Sequence, residues 1–406
     1  MIVLAKIAAV ILLLLVLIKK KWDLGLVLVL DTALTGLLFG MRPLEFLRQA
    51  GLAVIDKETL TLLGILVLVL YLGNFLQAGG HFRQMVEALK NLVKDARLIL
   101  AIPSAFIGLL PMMAGAMMGA PIVEEAGRRW DLSAAWKTFL NYWFRHIWEY
   151  SWPLYLNLIL AATIIRVPIA KVCLHQAPFT VLAAAAGLII LFRRIPYAAN
   201  ARTNGRRAAD SARVFLSIWP IFLTIVLIFA FGLPMLAALG IAGVLSQIFS
   251  KLPWKERLEV FRRSVTPRII LLTAAVMVFK RILETSGALE AIGGIVDPRG
   301  FSGYVLLFAA PFAIGLLTGV NQAYVAISFP LLVPVIGTGG QADMVLFLFA
   351  YVSGFVGILL SPAHLCLALT ADYFKADLGD VYKILIRPAG AVLAAALAVL
   401  LVFRII

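Results

Sequence analysis

The chain is poor in charge and poor in the side chains that most soluble enzymes use. Only 14% of its 406 residues are charged, four are histidine and two are cysteine. Hydrophobic residues make up 63%, and the mean hydropathy is +1.00. A soluble core of this size could not bury so much apolar surface, so the chain reads as a polytopic membrane protein. It has no phosphate-binding P-loop, no G-x-S-x-G elbow, no H-E-x-x-H pair and no dinucleotide fingerprint. Their absence argues against ATP-driven pumping by this chain alone, and no enzymatic activity and no cofactor are expected. Cys173 and Cys366 lie far apart in or beside apolar segments. They suggest neither a disulfide framework nor a zinc site and read as packing residues, and no metal site is expected.

Acidic residues are also scarce, 21 against 36 basic, for a net charge of +15. In a soluble protein that excess would suggest nucleic acid. Here the basic residues gather in short stretches, Lys19 to Lys21, His81 to Arg97, Arg193 to Arg213 and Lys251 to Arg268, as cytoplasmic loops of membrane proteins do. The expected surroundings are a lipid bilayer, with no nucleic-acid partner. Stretches 41–58 and 284–299 carry mixed charges and read as external.

Apolar runs long enough for a hydrocarbon core of about 30 Å lie near 2–18, 24–40, 59–77, 177–192, 214–231, 233–249, 269–283 and 384–403. The first has no small-residue cleavage site after it and reads as a retained span. Four further apolar segments, 98–127, 133–165, 300–337 and 342–374, carry Pro, Gly or charge near their middles. The loop charges agree with one another only if 98–127 and 300–337 enter and leave on one side, as re-entrant hairpins. Stretches 81–97 and 253–263 have one charged and one apolar face and suit helices at the membrane surface.

The two halves repeat one pattern. Ile107-Gly108-Leu109-Leu110 recurs as Ile314-Gly315-Leu316-Leu317, about 207 residues on. Similar offsets pair Ala78-Gly79-Gly80 with Thr285-Ser286-Gly287, and Ser151-Trp152-Pro153 with Ser361-Pro362. The expected fold is all-α, with two inverted repeats of five transmembrane helices plus one re-entrant hairpin, and a broken helix in each half. The N-terminal repeat covers 1–205, with hairpin 98–127 and broken helix 133–165. The C-terminal repeat covers 206–406, with hairpin 300–337 and broken helix 342–374. An odd number of crossings per half makes the repeats inverted and points to a transport site at their junction.

In hydrocarbon every backbone N–H and C=O needs a partner, so irregular chain survives at membrane depth only within protein or beside a polar cavity. The four interruptions should therefore converge. The first tip breaks at Pro111, with Met112 beside it and Gly115 allowing close backbone approach. The second tip, Thr318-Gly319-Val320-Asn321-Gln322, offers hydroxyl and amide groups. Arg145, His146 and Glu149 precede Ser151 and Pro153, and three ionisable residues so close together are costly inside a membrane. Arg145 and Glu149, four apart, would neutralise each other on one helical face; alternatively Arg145 or His146 meets a substrate carboxylate and Glu149 the coupling cation or proton. The second break, Ser361-Pro362-Ala363-His364, adds a hydroxyl and an imidazole, and a Ser–His pair there is the one hint of an intramembrane hydrolase. Asp31 stands inside the second apolar run without a local cation. Met112, Met113, Met117 and Met118, with no thiolate beside them, read as flexible packing.

With IGLLPMMAGAMMGAP and IGLLTGVNQAYVAISFP at the hairpins and SWP and SPAHL at the breaks, the chain resembles the ion-transporter superfamily of gluconate, citrate, C4-dicarboxylate and arsenite permeases. It looks most like an uncharacterised prokaryotic integral membrane family within it. The resemblance implies a secondary transporter of a small organic anion, a carboxylate first among them, working by an elevator type of alternating access. Substrate and ion would lie at Pro111, Met112, Gly115, Thr318, Gly319, Asn321 and Gln322, completed by Ser151, Pro153, Ser361 and Pro362, with Glu149 and His364 as further candidates. It also implies a homodimer in a prokaryotic inner membrane; both termini are expected outside. Sodium-coupled members often carry a Ser-Asn-Thr run at a tip, where this chain has Met112-Met113-Ala114 and Val320-Asn321-Gln322. Sodium, near Asn321, and protons both stay open as coupling ions. So do a passive anion channel and a membrane subunit served by a soluble binding protein.

Overall fold

The computed structural model describes residues 2–20, 22–109, 115–200, 207–297 and 300–405, and among them the chain is all-helical apart from one isolated bridge between Asp95 and Ala199. The first half runs α1 (Ile2–Lys19), α2 (Leu24–Leu38), α3 (Pro43–Ile55), α4 (Lys57–Ala78), α5 (His81–Leu92), α6 (Ile102–Ile107), α7 (Gly115–Gly127), α8 (Ala134–His146), α9 (Leu156–Ile164) and α10 (Ile169–Arg194). The second runs α11 (Arg207–Phe229), α12 (Met235–Ile248), α13 (Trp254–Ser264), α14 (Pro267–Thr285), α15 (Ala288–Gly293), α16 (Phe301–Thr318), α17 (Asn321–Ile336), α18 (Met344–Leu359), α19 (Leu365–Phe374) and α20 (Leu378–Ile405). Five of these, α4, α10, α11, α16 and α20, are long and apolar enough to cross a membrane, and several shorter apolar helices accompany them.

Local chemistry sets the boundaries. Asp23 caps α2 through Gly25 N at 2.9 Å, and Asp56 caps α4 through Glu58 N at 2.9 Å. Asp343 caps α18 through two backbone N–H groups. Each such cap contributes on the order of 1 kcal/mol. Gly80 and Gly287 begin α5 and α15 with φ of 67° and 78°, a conformation that glycine adopts without steric cost. These are the paired turns expected from the sequence offset.

The element order of the first half recurs in the second, and the packing interchanges them. α2 packs on α14 as α12 packs on α4; α3 packs on α14 as α13 packs on α4; α9 packs on α17 as α7 packs on α19. A Cβ on Gly108 would overlap the carbonyl oxygen of Arg145, and one on Gly315 would overlap that of Gly354. These glycines thus let the C-terminal ends of α6 and α16 lie directly on α8 and α18.

Three of the charged stretches hold helices. Stretch 41–58 holds helix α3, which exposes Leu44, Leu47 and Ile55, because its apolar residues recur at helical spacing. The apolar face of α5 (Phe82, Met85, Leu89) is covered by protein, chiefly α11, whereas α13 leaves Trp254, Leu258 and Phe261 exposed. The proposed boundary near 205, Pro111 and Met112 lie outside the described residues.

Candidate functional site

Both broken helices are interrupted where proline stands. α8 tightens into a 3-10 turn over Ile147–Tyr150, opens at Ser151 to Tyr155 and resumes as α9; α18 opens at Leu360 to His364 and resumes as α19. Proline lacks the N–H that would continue the ladder, and the freed groups are taken up across the interior. Ser361 Oγ donates to Leu316 O at 2.6 Å, Tyr142 OH to Leu359 O at 3.2 Å and Tyr382 OH to Leu360 O at 3.1 Å. Tyr155 OH donates to Gly108 O.

The second turn locks onto the second break. Gly319 sits at φ 62°, and a Cβ there would overlap the backbone of Ala363 and His364. Its carbonyl accepts from His364 Nδ1 at 2.7 Å. Thr318 Oγ1 accepts from Val320 N at 3.2 Å, tightening the turn. Asn321 opens α17 and donates Nδ2 to Glu149 Oε2, a contact between residues 172 positions apart. Its own Oδ1 is buried and has no hydrogen-bond partner among the described residues. Gln322, half-buried, follows in the same turn.

Around Glu149, which is 1% exposed, lies a buried polar cluster. Glu149 Oε1 is 3.7 Å from His146 Nε2, and its backbone carbonyl accepts from Tyr351 OH at 2.8 Å, which in turn accepts from Asn157. His146 Nδ1 meets Tyr142 O at 2.6 Å, and His146 Nε2 lies 3.1 Å from His364 Nε2. Arg145, 4% exposed, reaches His146 Nε2 at 3.4 Å and Cys366 Sγ at 3.5 Å. The guanidinium covers the start of α7, since a Cβ on Gly115 would come within 2.8 Å of Arg145 Nε. Asn141 ties the cluster's floor together, accepting from Ser104 and donating to Ala116 O at 2.8 Å and to Thr370.

These positions bring Gly115, Glu149, Gly319, Asn321 and His364 to one place, with Pro153 and Pro362 in the breaks that form it. Ser151 instead hydrogen-bonds Thr180 of α10 at 2.7 Å, so its hydroxyl serves the join between helices. Ser361 is committed to Leu316 O and to Ala363 N, and His364 to Gly319 O and His146. The Ser–His pair that hinted at a hydrolase is not formed among the described residues.

A family model described as "Protein of unknown function (DUF401)" matches residues 1–406. The chain belongs to this family. No curated protein matches it.

Three features of this DUF401 chain depart from what its sequence implies or carry little local signal there. Arg145 and Glu149 were expected to share one face at a spacing of four. The 3-10 turn has three residues per turn and so aligns i with i+3, which brings Glu149 to His146 as well, while the charges of Arg145 and Glu149 still act on each other. Cys366 was read as packing; its sulfur also lies within 4.8 Å of ring nitrogens of His146 and His364 and 3.5 Å from Arg145 Nη1. Asn141, Asn157, Tyr142 and Tyr351 were passed over; the only available signal was their position in the two broken helices. Asp31 is buried in α2, and neither carboxylate oxygen has a partner among the described residues. A cavity of about 800 Å³ lies away from the cluster, lined among others by Asp56, Glu58, Arg166 and Gly232.

Proposed function

We propose that the chain is a secondary active transporter of a small organic anion, a carboxylate by preference, with its site at the Arg145–Glu149–Asn321 cluster. One observation carries the reading: a cluster holding Arg145, Glu149 and a buried Asn321 Oδ1 that has no hydrogen-bond partner among the described residues lies in the interior of an apolar helical bundle. Groups so costly to bury in an apolar bundle are kept where a polar solute must be held.

Three half-helices begin around this cluster: α9 just beyond Tyr155, α17 at Asn321 and α19 just beyond His364. Their N-termini add positive potential to the guanidinium, which suits a carboxylate. Glu149 and Asn321 Oδ1 are oxygen ligands suited to sodium, and Glu149 serves equally for a proton. Segments 98–127 and 300–337 are then re-entrant hairpins of two inverted repeats, and the interchanged packing of the halves supports that view. Alternating access moves the hairpins and broken helices as a unit against the outer helices, in a homodimer in the prokaryotic inner membrane.

A thermal-shift screen of citrate, succinate and gluconate against purified protein, with and without sodium, tests binding. Uptake into proteoliposomes then separates mechanisms. Gradient-dependent accumulation supports the carrier; dissipative flux would make it a channel; binding without any flux would point to a subunit that needs a soluble partner.

A further inference from the structure

The contact between His146 and His364 poses a question of protons that the transport reading leaves unanswered. Each imidazole places Nδ1 against a backbone carbonyl, Tyr142 O at 2.6 Å and Gly319 O at 2.7 Å. A carbonyl only accepts, so both Nδ1 atoms carry hydrogen. In the neutral rings both Nε2 atoms then bear lone pairs, and these lone pairs face each other at 3.1 Å. Two lone pairs at that distance repel unless a cation lies between them.

We propose that His146, His364 and Cys366 bind a transition-metal ion of the zinc type through two imidazole Nε2 atoms and the cysteine sulfur. The three ligand atoms lie within 4.8 Å of one another, and all three residues are buried. A tetrahedral ion with metal–nitrogen bonds of about 2.0–2.1 Å sets its two nitrogens about 3.3 Å apart, close to the spacing present. Metal-bound histidines hold their second ring N–H on a carbonyl or carboxylate, which fixes tautomer and ring plane, and both rings are held that way. A set of two nitrogens and one sulfur selects zinc-like or cuprous ions over sodium, magnesium or calcium, which take oxygen ligands.

Arg145 Nη1, 3.4 Å from His146 Nε2 and 3.5 Å from Cys366 Sγ, must release the ring nitrogen when the ion enters and stays beside the sulfur, which binds as thiolate. The fourth coordination position goes to Glu149, whose Oε1 is 3.7 Å from His146 Nε2, or to an incoming anion. With Cys366 and Glu149 anionic and Arg145 cationic, a divalent ion leaves one positive charge in the chamber. A carboxylate would cancel it.

Cobalt(II) titration of chelator-stripped, full-length protein in detergent tests the proposal without any transport assay. The wild type should take up one Co²⁺ per chain and develop a near-ultraviolet sulfur-to-cobalt charge-transfer band. Cys366→Ser should lose that band. His364→Gln and His146→Gln should weaken binding by at least about 100-fold, since even outer partners of a metal site are worth about 10- to 100-fold. Circular dichroism and gel filtration identify variants that fold. If a variant does not fold, X-ray absorption of the zinc-loaded wild type still reads the nitrogen and sulfur shell directly. No stoichiometric uptake by folded wild type, or a band retained in Cys366→Ser, would overturn the proposal and leave a proton as the cation between the rings. Metal binding without uptake of any anion would sink the transport reading alone, and uptake without metal binding would sink this one alone.

Discussion

The two broken helices are built alike and equipped differently. Before the break, the first half carries Arg145, His146 and Glu149, whereas the corresponding stretch of α18 is Gly354, Phe355 and Ile358. After the break the first half carries Tyr155 and Asn157, and the second carries His364 and Cys366. Features that occur in both halves, the glycine approaches and the prolines, are the ones that make the fold close. Features present in one half only form the buried polar cluster, and they meet because α8 packs on α19 and α9 on α17.

The largest expected effect tests the unequal chemistry. Glu149→Gln keeps an oxygen to accept from Asn321 but removes the charge, so gradient-driven uptake should fall to background while the melting temperature of the purified protein stays within a few degrees of wild type. Next comes a contrast between two closely packed glycines, one with positive φ and one without. Gly319→Val combines a left-handed φ with overlap onto His364, so strain of about 1–3 kcal/mol adds to the clash. Gly108→Val meets the Arg145 carbonyl without that strain, since its φ is −66°. Thermal unfolding should rank Gly319→Val below Gly108→Val, and equal melting temperatures would remove the left-handed turn from the account.

Smaller effects separate the two serines. Ser361→Ala leaves Leu316 O, beside the second turn, without its partner, and Ser151→Ala loses only the contact with Thr180; each costs about 1 kcal/mol. Uptake should fall measurably in the first and hold in the second. Smallest of all, Met117→Leu on α7 should change stability by less than about 1.5 kcal/mol and leave uptake unaltered.

Much of the architecture was legible because its signals are local. Apolar runs gave the helices, Gly80 and Gly287 the paired turns, and Ser and Pro the breaks at Ser151 and Ser361. The site was legible only in part, because its decisive contacts join residues 172 and 218 positions apart, and no local spacing encodes them. Cys366 carried no local sign of its neighbours, and the 3-10 turn that redirects Glu149 follows from the break at Pro153 acting backwards on the helix before it.

Uptake by purified, folded Asn321→Ala in proteoliposomes is the most direct test, since this residue joins the second turn to Glu149 across the halves. The account predicts that accumulation of any anion the wild type carries is abolished while the protein's helical content and elution volume stay unchanged. Accumulation at the wild-type rate would take the second turn out of the transport site.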